Sequence, residues 1–126
     1  MVKNIVTDKA PQPIGPYTEG KDLGDVVYLA GQGGFDPATG KVVEGGVQAE
    51  CEQCCKNVQA LLNEVGLGLE DVVENTCFLV DMNDFEAFNE AYAKYFTGKP
   101  ARTCIAVREL PAGIKCEIKS IAYRSK

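Results

Sequence analysis

The sequence predicts an α+β sandwich in which two helices pack on one face of a mixed β-sheet. Three observations predict it. Two segments have apolar residues at helical spacing. Strand-like segments stand before, between and after them, in the order β-β-β-α-β-α-β-β. The chain has 126 residues, the length of one domain, and no linker divides it, so residues 1–126 are assigned to a single domain.

The first third of the chain reads as strands and turns. Residues 3–7, 17–21 and 26–30 are strand-like, and residues 22–25 form a plausible hairpin loop. Three prolines between residues 10 and 16 exclude regular structure there. A tight turn follows at Asp36-Pro37-Ala38-Thr39-Gly40, since proline presets φ, Asp36 can accept a backbone hydrogen bond and Gly40 tolerates positive φ.

The first helix is predicted over residues 47–65. Its apolar stripe steps by four, three, four, three and four residues through Val47, Cys51, Cys54, Val58, Leu61 and Val65. Gly66 is placed to end this helix in the left-handed conformation. An unbroken apolar run inside residues 72–80 then predicts a buried strand.

The second helix is predicted to open at Asn83, with Glu86 completing a capping box, and to end near Gly98 and Pro100. Its inward face consists of Phe85, Phe88, Tyr92 and Phe96 or Tyr95. Residues 103–107 and 115–123 read as the last two strands, joined through Pro111-Ala112-Gly113.

The predicted sheet has more apolar surface than one helix layer can cover. In residues 26–30, Val26, Tyr28 and Ala30 alternate with Val27 and Leu29, so both faces of that strand are largely apolar. Because a large exposed apolar face is unusual, we expect homo-oligomerisation through the uncovered face of the sheet.

Composition excludes several classes of function. The chain has no histidine, which excludes a Ser-His-Asp triad, a Cys-His nucleophile pair and any imidazole metal site. The formal net charge of −5 argues against a nucleic-acid footprint over the whole surface. No apolar run approaches ~18 residues, so no membrane span is expected. Residues 1–11 lack the apolar core of a signal peptide, and we expect a cytoplasmic protein.

The six cysteines do not form a recognisable metal or disulfide framework. Cys51 and Cys54 make one C-x-x-C, followed at once by Cys55, and no second ligand pair exists. These residues fall inside the first predicted helix, where cysteine behaves as a small buried hydrophobe. We therefore expect no metal site.

Three segments could carry chemistry. Gly31-Gln32-Gly33-Gly34 resembles a phosphate loop but lacks a following helix, so close backbone approach explains it better. Arg102 lies on the same strand face as Cys104 and could bind a carboxylate, although arginines at strand starts are usually solvated. Glu117 could hold or deprotonate water, or be an exposed charge paired with a lysine.

Taken together, these segments resemble the Rid proteins, the reactive intermediate/imine deaminases also called the YjgF family. The resemblance covers nearly the whole chain, and its most specific part is the C-terminal signature. The matching segments are Ala10-Pro11, Ile14-Gly15-Pro16-Tyr17, Gly31-Gln32, Asp36-Pro37, Gly40, Asn83-Asp84-Phe85, Asn89, Tyr92, Pro100-Ala101-Arg102, Leu110-Pro111 and Glu117-Ile118.

The resemblance implies a chorismate-mutase-like fold and a homotrimer with one pocket at each subunit interface. Members of the RidA subgroup hydrolyse enamines and imines such as 2-aminoacrylate and 2-aminocrotonate to 2-keto acids and ammonia, without a metal or organic cofactor. By position, Arg102 corresponds to the arginine that grips the substrate carboxylate, and Glu117 to the carboxylate that positions the hydrolytic water. The residues that correspond to the rest of the pocket lining are Tyr17, Gly31, Asn89 and Cys104.

Three positions depart from the family pattern. Ala30 stands where serine is common, Cys116 replaces a branched apolar residue, and Lys119 begins a Lys-Ser pair where Glu-Ala is frequent. The altered Ala30 and Lys119 leave open a non-catalytic trimer that binds a small keto acid or amino acid. The resemblance also leaves open a ribonuclease acting on single-stranded RNA, a role attributed to some family members. The ribonuclease is poorly supported, because the chain has no aromatic and basic stacking surface.

Overall fold

The computed structural model describes residues 2–125 as two helices and a seven-stranded sheet. Short 3₁₀ turns lie at Leu69–Asp71, Met82–Asp84 and Pro111–Gly113. In chain order the elements are β1 (Lys3–Asn4), β2 (Gly20–Asp22), β3 (Val26–Leu29), β4 (Gln32–Gly33), α1 (Gly46–Glu64), β5 (Val72–Leu79), α2 (Phe85–Tyr95), β6 (Ala101–Ala106) and β7 (Cys116–Tyr123).

The sheet is mixed, as the sequence predicts. Its strand order is β1-β2-β3-β7-β5-β6, with β4 also paired to β7. The β5–β6 pair is parallel and all the other pairs are antiparallel. The C-terminal strand β7 therefore lies in the middle of the sheet, and β6 forms one edge.

Both helices cover the same face of the sheet, which confirms the predicted α+β sandwich. Alternate residues of β7 are buried under the helices: Cys116, Ile118, Ser120 and Ala122. From α1, the core receives the predicted stripe of Val47, Cys51, Cys54, Val58 and Leu61, all buried. Gly66 follows this helix with φ of +79°, as expected for a left-handed end.

The other face of the sheet carries large apolar side chains in contact with solvent in this single chain. Tyr28 on β3, Ile105 on β6 and Tyr123 on β7 are between 42% and 48% exposed. These strands belong to one sheet, in which β5 lies between β6 and β7, and the side of the sheet that carries these residues is here called the bare face. One helix layer thus covers one side of the sheet only, in agreement with the sequence.

Three local predictions are wrong. The segment at Gln32–Gly33 forms a strand, β4, that the predicted order lacks. Tyr17 lies before β2, because only Gly20–Asp22 pairs with β3. The capping box at Asn83 is absent: the Asp81 carboxylate instead accepts the Asn83 N–H at 2.9 Å and starts a 3₁₀ turn, so α2 begins at Phe85.

The cysteines behave as core residues. All six are free thiols and five are buried, with the Cys54 and Cys116 sulfurs 4.0 Å apart between α1 and β7. Burial raises the pKa of the Cys54 thiol well above its ordinary value, which keeps it protonated and unreactive.

Residues 2–125 contain no cluster of side chains suited to a metal ion. Within the same residues, no helix is long and apolar enough to cross a membrane.

Candidate active site

A cavity of about 560 Å³ opens beside β4 and the C-terminal end of β3. Three of the predicted site residues line it: Tyr17 from the proline-rich loop, Gly31 from the turn between β3 and β4, and Glu117 from β7. Most of the other lining residues are apolar, among them Ile14, Phe35 and Ile114. The cavity therefore combines an apolar wall with a carboxylate.

Gly31 leaves room for the carboxylate of Glu117. Glu117 pairs with Gly33 across the β4–β7 ladder, which brings β4 and the preceding turn close to its side chain. A Cβ atom at Gly31 would collide with Glu117 Oε2. Glycine therefore allows this side-chain position of Glu117 through close approach, as the sequence indicates.

The segment around β4 is fixed to helix α1 by Asn57. The buried Asn57 amide donates hydrogen bonds to the carbonyl oxygens of Gly33 at 3.1 Å and Phe35 at 3.0 Å. On the opposite side of the cavity, the Tyr17 hydroxyl accepts the Ile14 N–H at 3.2 Å and closes the proline-rich loop. Both walls of the cavity are thus held by side-chain to backbone hydrogen bonds.

The environment of Glu117 changes its acidity. The side chain is partly buried, and burial raises the pKa of its carboxyl above the ordinary glutamate value. An ionised carboxylate can take a proton from water, and a raised pKa makes it a stronger base for that step. Glu117 is therefore chemically suited to act on a bound water.

Arg102 occupies a second place, at the edge of the sheet. Its Nη1 donates to the side-chain Oδ1 of Asn89 on α2 at 2.8 Å. The guanidinium carbon lies 4.9 Å from the Tyr92 ring centre and 5.6 Å from that of Phe85, so two aromatic faces support it. Cys104, two residues along β6, is half-buried and packs against the core. This group orients a rigid cation at the sheet edge.

Arg102 is supported further by a buried polar chain. The Ser120 hydroxyl donates to Asn75 Oδ1 at 2.5 Å, and Asn75 Nδ2 donates to the Tyr92 hydroxyl at 2.9 Å. Burial raises the pKa of Tyr92 to about 12, so its hydroxyl stays protonated. These bonds fix the Tyr92 ring on which Arg102 rests.

Arg102 and Glu117 do not meet within one chain. Arg102 packs on the rings of α2, on the helix-covered side of the sheet. Glu117 alternates with the buried Cys116 and Ile118 and so points to the opposite side. Their strands, β6 and β7, are also separated by β5. The structure therefore divides the predicted site into one group of Tyr17, Gly31 and Glu117 and another of Asn89, Arg102 and Cys104.

Sequence reasoning missed one cavity residue, Glu19. It precedes β2, is only 5% exposed and lines the same cavity as Glu117. Burial raises the pKa of its carboxyl. No sequence signal distinguishes it from the exposed acidic residues of a strand, because its burial comes from the proline-rich loop folding over it.

Comparison with known proteins decides the family. The family model described as "Endoribonuclease L-PSP" matches residues 7–124. This chain belongs to that family, the Rid or YjgF proteins. A 2-iminobutanoate/2-iminopropanoate deaminase of Salmonella typhimurium is 44% identical over 128 residues, covering 98% of this chain and 99% of its own length. A RutC family protein of Pyrococcus abyssi is 41% identical, with coverage of 98% and 99%.

Solved structures of Rid proteins share the fold. Escherichia coli TdcF with bound serine superposes with a TM-score of 0.93 at 39% identity, covering 98% of this chain and 99% of that one. The YjgF gene product of E. coli gives 0.93 at 40% identity, with the same coverage. The predicted fold family is thereby confirmed.

The three departures of this Rid protein lie in different environments. Ala30 lines the cavity. Cys116 is buried on the helix-covered side, 4.0 Å from Cys54, where it fills the place of an apolar residue. Lys119 is exposed on the bare face. Only the Ala30 departure therefore changes the cavity wall itself.

Proposed function

We propose that this Rid protein is an imine deaminase, which hydrolyses 2-imino acids such as the tautomers of 2-aminoacrylate and 2-aminocrotonate to 2-keto acids and ammonia. The observation that carries the proposal is that one chain presents both a fixed cation, Arg102, and a cavity carboxyl of raised pKa, Glu117. Relatives named 2-iminobutanoate/2-iminopropanoate deaminase, 41–44% identical over nearly the whole chain, support it.

The working site forms between two copies of the chain in a homotrimer. Arg102 and Glu117 face opposite sides of one sheet, so one small substrate reaches both only if a second copy supplies the other group. The bare face offers the surface for this association, because Tyr28, Ile105 and Tyr123 would be removed from water there.

The reaction needs little from the protein beyond placement. The Arg102 fork binds the substrate carboxylate and leaves the iminium carbon, which is already electrophilic, facing the cavity. Glu117 holds a water and takes its proton as oxygen bonds to that carbon, giving a carbinolamine. Glu117 returns this proton to nitrogen and takes the remaining hydroxyl proton as the carbon–nitrogen bond breaks, so the carbinolamine oxygen becomes the keto group and ammonia leaves. The last proton passes to the released ammonia, giving ammonium. No histidine and no cofactor takes part in these steps.

A coupled assay tests this function. A threonine dehydratase generates 2-aminocrotonate, and release of 2-ketobutyrate is followed with and without the protein. Wild type should accelerate release, whereas Arg102→Ala should lose at least roughly 30-fold in kcat/KM, since truncating one member of a charge pair costs about 2–5 kcal/mol.

Arg108→Ala is the matched control, because Arg108 is an exposed arginine in the loop after β6. It should retain wild-type activity. No acceleration by the wild type, or equal acceleration by Arg102→Ala, would contradict the proposal.

A binding role without catalysis is the second candidate, and the TdcF structure with bound serine favours it, since that relative binds a small amino acid. The same Arg102 could hold the ligand carboxylate here. Tight binding of serine or a keto acid without turnover of fresh enamine would support binding over catalysis.

Ribonuclease activity is the third candidate, because the family model carries that name. Two observations argue against it: the net charge is −5, and no lysine or arginine is among the described residues that line the cavity. RNA cleavage that persists through further purification and disappears with Arg102→Ala would support it.

A further inference from the structure

Glu19 is a buried carboxyl that the proposed reaction does not use. Its side chain is 5% exposed, and its Oε2 atom has no hydrogen-bond partner within residues 2–125. Buried polar groups in proteins are nearly always paired, so an unpaired carboxyl oxygen requires an explanation.

Structural duties do not explain this side chain. The backbone carbonyl of Glu19 accepts the Ala30 N–H at 2.8 Å, which any residue at position 19 would do. Ala30 offers the carboxyl only a methyl group. An apolar side chain of similar length would avoid the cost of burying an unpaired polar group, so the carboxyl is disadvantageous to the folded chain by itself.

The cavity defines what could pair with Glu19. Glu19 and Glu117 both line it. The rest of the lining, as far as the structure describes the chain, is mostly apolar and includes no lysine or arginine. A carboxylate at the end of an occupant's side chain would be repelled by both of these groups. The fitting occupant has an apolar stem that ends in a hydrogen-bond donor.

We propose that Glu19 is a specificity-determining residue, whose unpaired carboxyl accepts a hydrogen bond from a donor group at the end of the substrate side chain. The site then favours 2-imino acids with a terminal hydroxyl over aliphatic ones of the same length, and disfavours those with a terminal carboxylate. This inference rests on the proposed deaminase function.

Glu19 also borders a smaller pocket of about 290 Å³ near Asn4 and Thr7. A water held there would give the carboxyl a purely structural partner. In that case, replacing Glu19 would change turnover of every substrate by the same factor, which distinguishes this role from the proposed one.

Three imines separate the two roles. An amino acid oxidase with oxygen, and catalase to remove the hydrogen peroxide formed, converts norvaline, homoserine and glutamate to their 2-imino acids. Norvaline and homoserine differ only in a terminal methyl or hydroxyl group. Release of each keto acid above the uncatalysed rate gives kcat/KM for wild type, Glu19→Met and Glu19→Gln.

Wild type should prefer the homoserine imine over the norvaline imine by about tenfold, the worth of one net hydrogen bond. Glu19→Met should abolish this preference, so that the two kcat/KM values become about equal. Glu19→Gln keeps an acceptor oxygen and should retain the hydroxyl preference, yet should accept the glutamate imine better. Glu64→Met, at an exposed position on α1, is the matched control and should change nothing.

Folding and binding measurements complete the design. Glu19→Met should raise the melting temperature by a few degrees, because it removes the unpaired buried group.

Calorimetry with the keto acids 2-oxopentanoate and 4-hydroxy-2-oxobutanoate reports the same preference without turnover. If no imine is turned over but wild type binds the hydroxy acid more tightly, the deaminase proposal fails and Glu19 keeps its role. A homoserine-to-norvaline ratio unchanged in Glu19→Met, in turnover and in binding, would overturn the role of Glu19.

Discussion

The acidity of Glu117 is set by its neighbours rather than by its residue type. The missing side chain of Gly31 lets the backbone of the β3–β4 turn approach the carboxylate. This approach excludes water from one side of Glu117, and the loss of solvation disfavours the charged form. A glycine and a glutamate far apart in the sequence thus form one functional unit.

The pH dependence of turnover follows from this shift. Glu117 must be ionised to take a proton from water, so kcat/KM should fall on the acid side as the carboxyl becomes protonated. Because burial raises the pKa of this carboxyl, the acid limb should lie above the pH at which an ordinary glutamate titrates. Measurement of kcat/KM from pH 4 to 9, with a detection method that is itself independent of pH, would check this.

An isosteric substitution tests the role of Glu117 in proton transfer. Glu117→Gln should lose the activity, and Glu64→Gln should keep both the activity and the acid limb. An acid limb at or below pH 4.5 in wild type would show that another group controls proton transfer.

At the scale of elements, the short strand β4 depends on helix α1. Its carbonyls at Gly33 and the adjacent Phe35 accept hydrogen bonds from Asn57 and are otherwise enclosed by the helix. A Cβ at Gly34 would stand 2.8 Å from the Cα of Glu50, which shows how closely this segment packs on α1. The cavity wall is therefore a product of packing between α1 and β4.

Removing the Asn57 amide should destabilise the fold. Asn57→Ala leaves two enclosed carbonyl oxygens without a side-chain partner, so the free energy of unfolding should fall by about 2–3 kcal/mol. Urea titration at one fixed protein concentration measures it. Asn63→Ala, at an exposed position on the same helix, should change the stability by less than about 0.5 kcal/mol, and equal losses in both variants would contradict the assigned role of Asn57.

The elements also show which sequence patterns were informative. The stripe of α1 was predictable because its 3.6-residue period records which side faces the core, and Gly66 ended it as expected. β4 was not predictable, since a two-residue glycine-containing strand has too few side chains for any period to appear. The cap of α2 was misassigned because Asp81, also a good cap residue, accepts the Asn83 N–H and starts a 3₁₀ turn, after which α2 begins without a side-chain cap.

At the scale of the whole molecule, the bare face is the apolar surface that a single chain leaves exposed to solvent. Ile105 on β6 lies in register with Phe78 on β5, which itself lies in register with Glu117 on β7. The apolar surface and the candidate catalytic carboxylate thus share one side of the sheet. Association through this side would link assembly directly to completion of the site.

Placing a charge on the bare face should separate folding from assembly. Ile105→Glu introduces an exposed carboxylate that is harmless in a monomer but would be desolvated in the trimer. We expect a folded monomer by light scattering, native circular dichroism, and deaminase activity reduced to background.

Leu23→Glu provides the comparison. Leu23 is 40% exposed, close to the 42% of Ile105, but lies in the loop between β2 and β3. This variant should remain trimeric and active. Retention of a trimer by Ile105→Glu would contradict assembly through the bare face.

The sequence by itself determined the α+β class, the two helices and the family, because hydrophobic periods and a C-terminal signature are local properties of the chain. It also identified Arg102 and Glu117 as candidates. Only the tertiary structure decided that these two side chains lie on opposite sides of one sheet, and that the unremarkable Glu19 is enclosed beside Glu117 with an unpaired oxygen. The physical reason is that burial and strand pairing join residues distant in the sequence, and no local pattern records which distant segment will cover a given side chain.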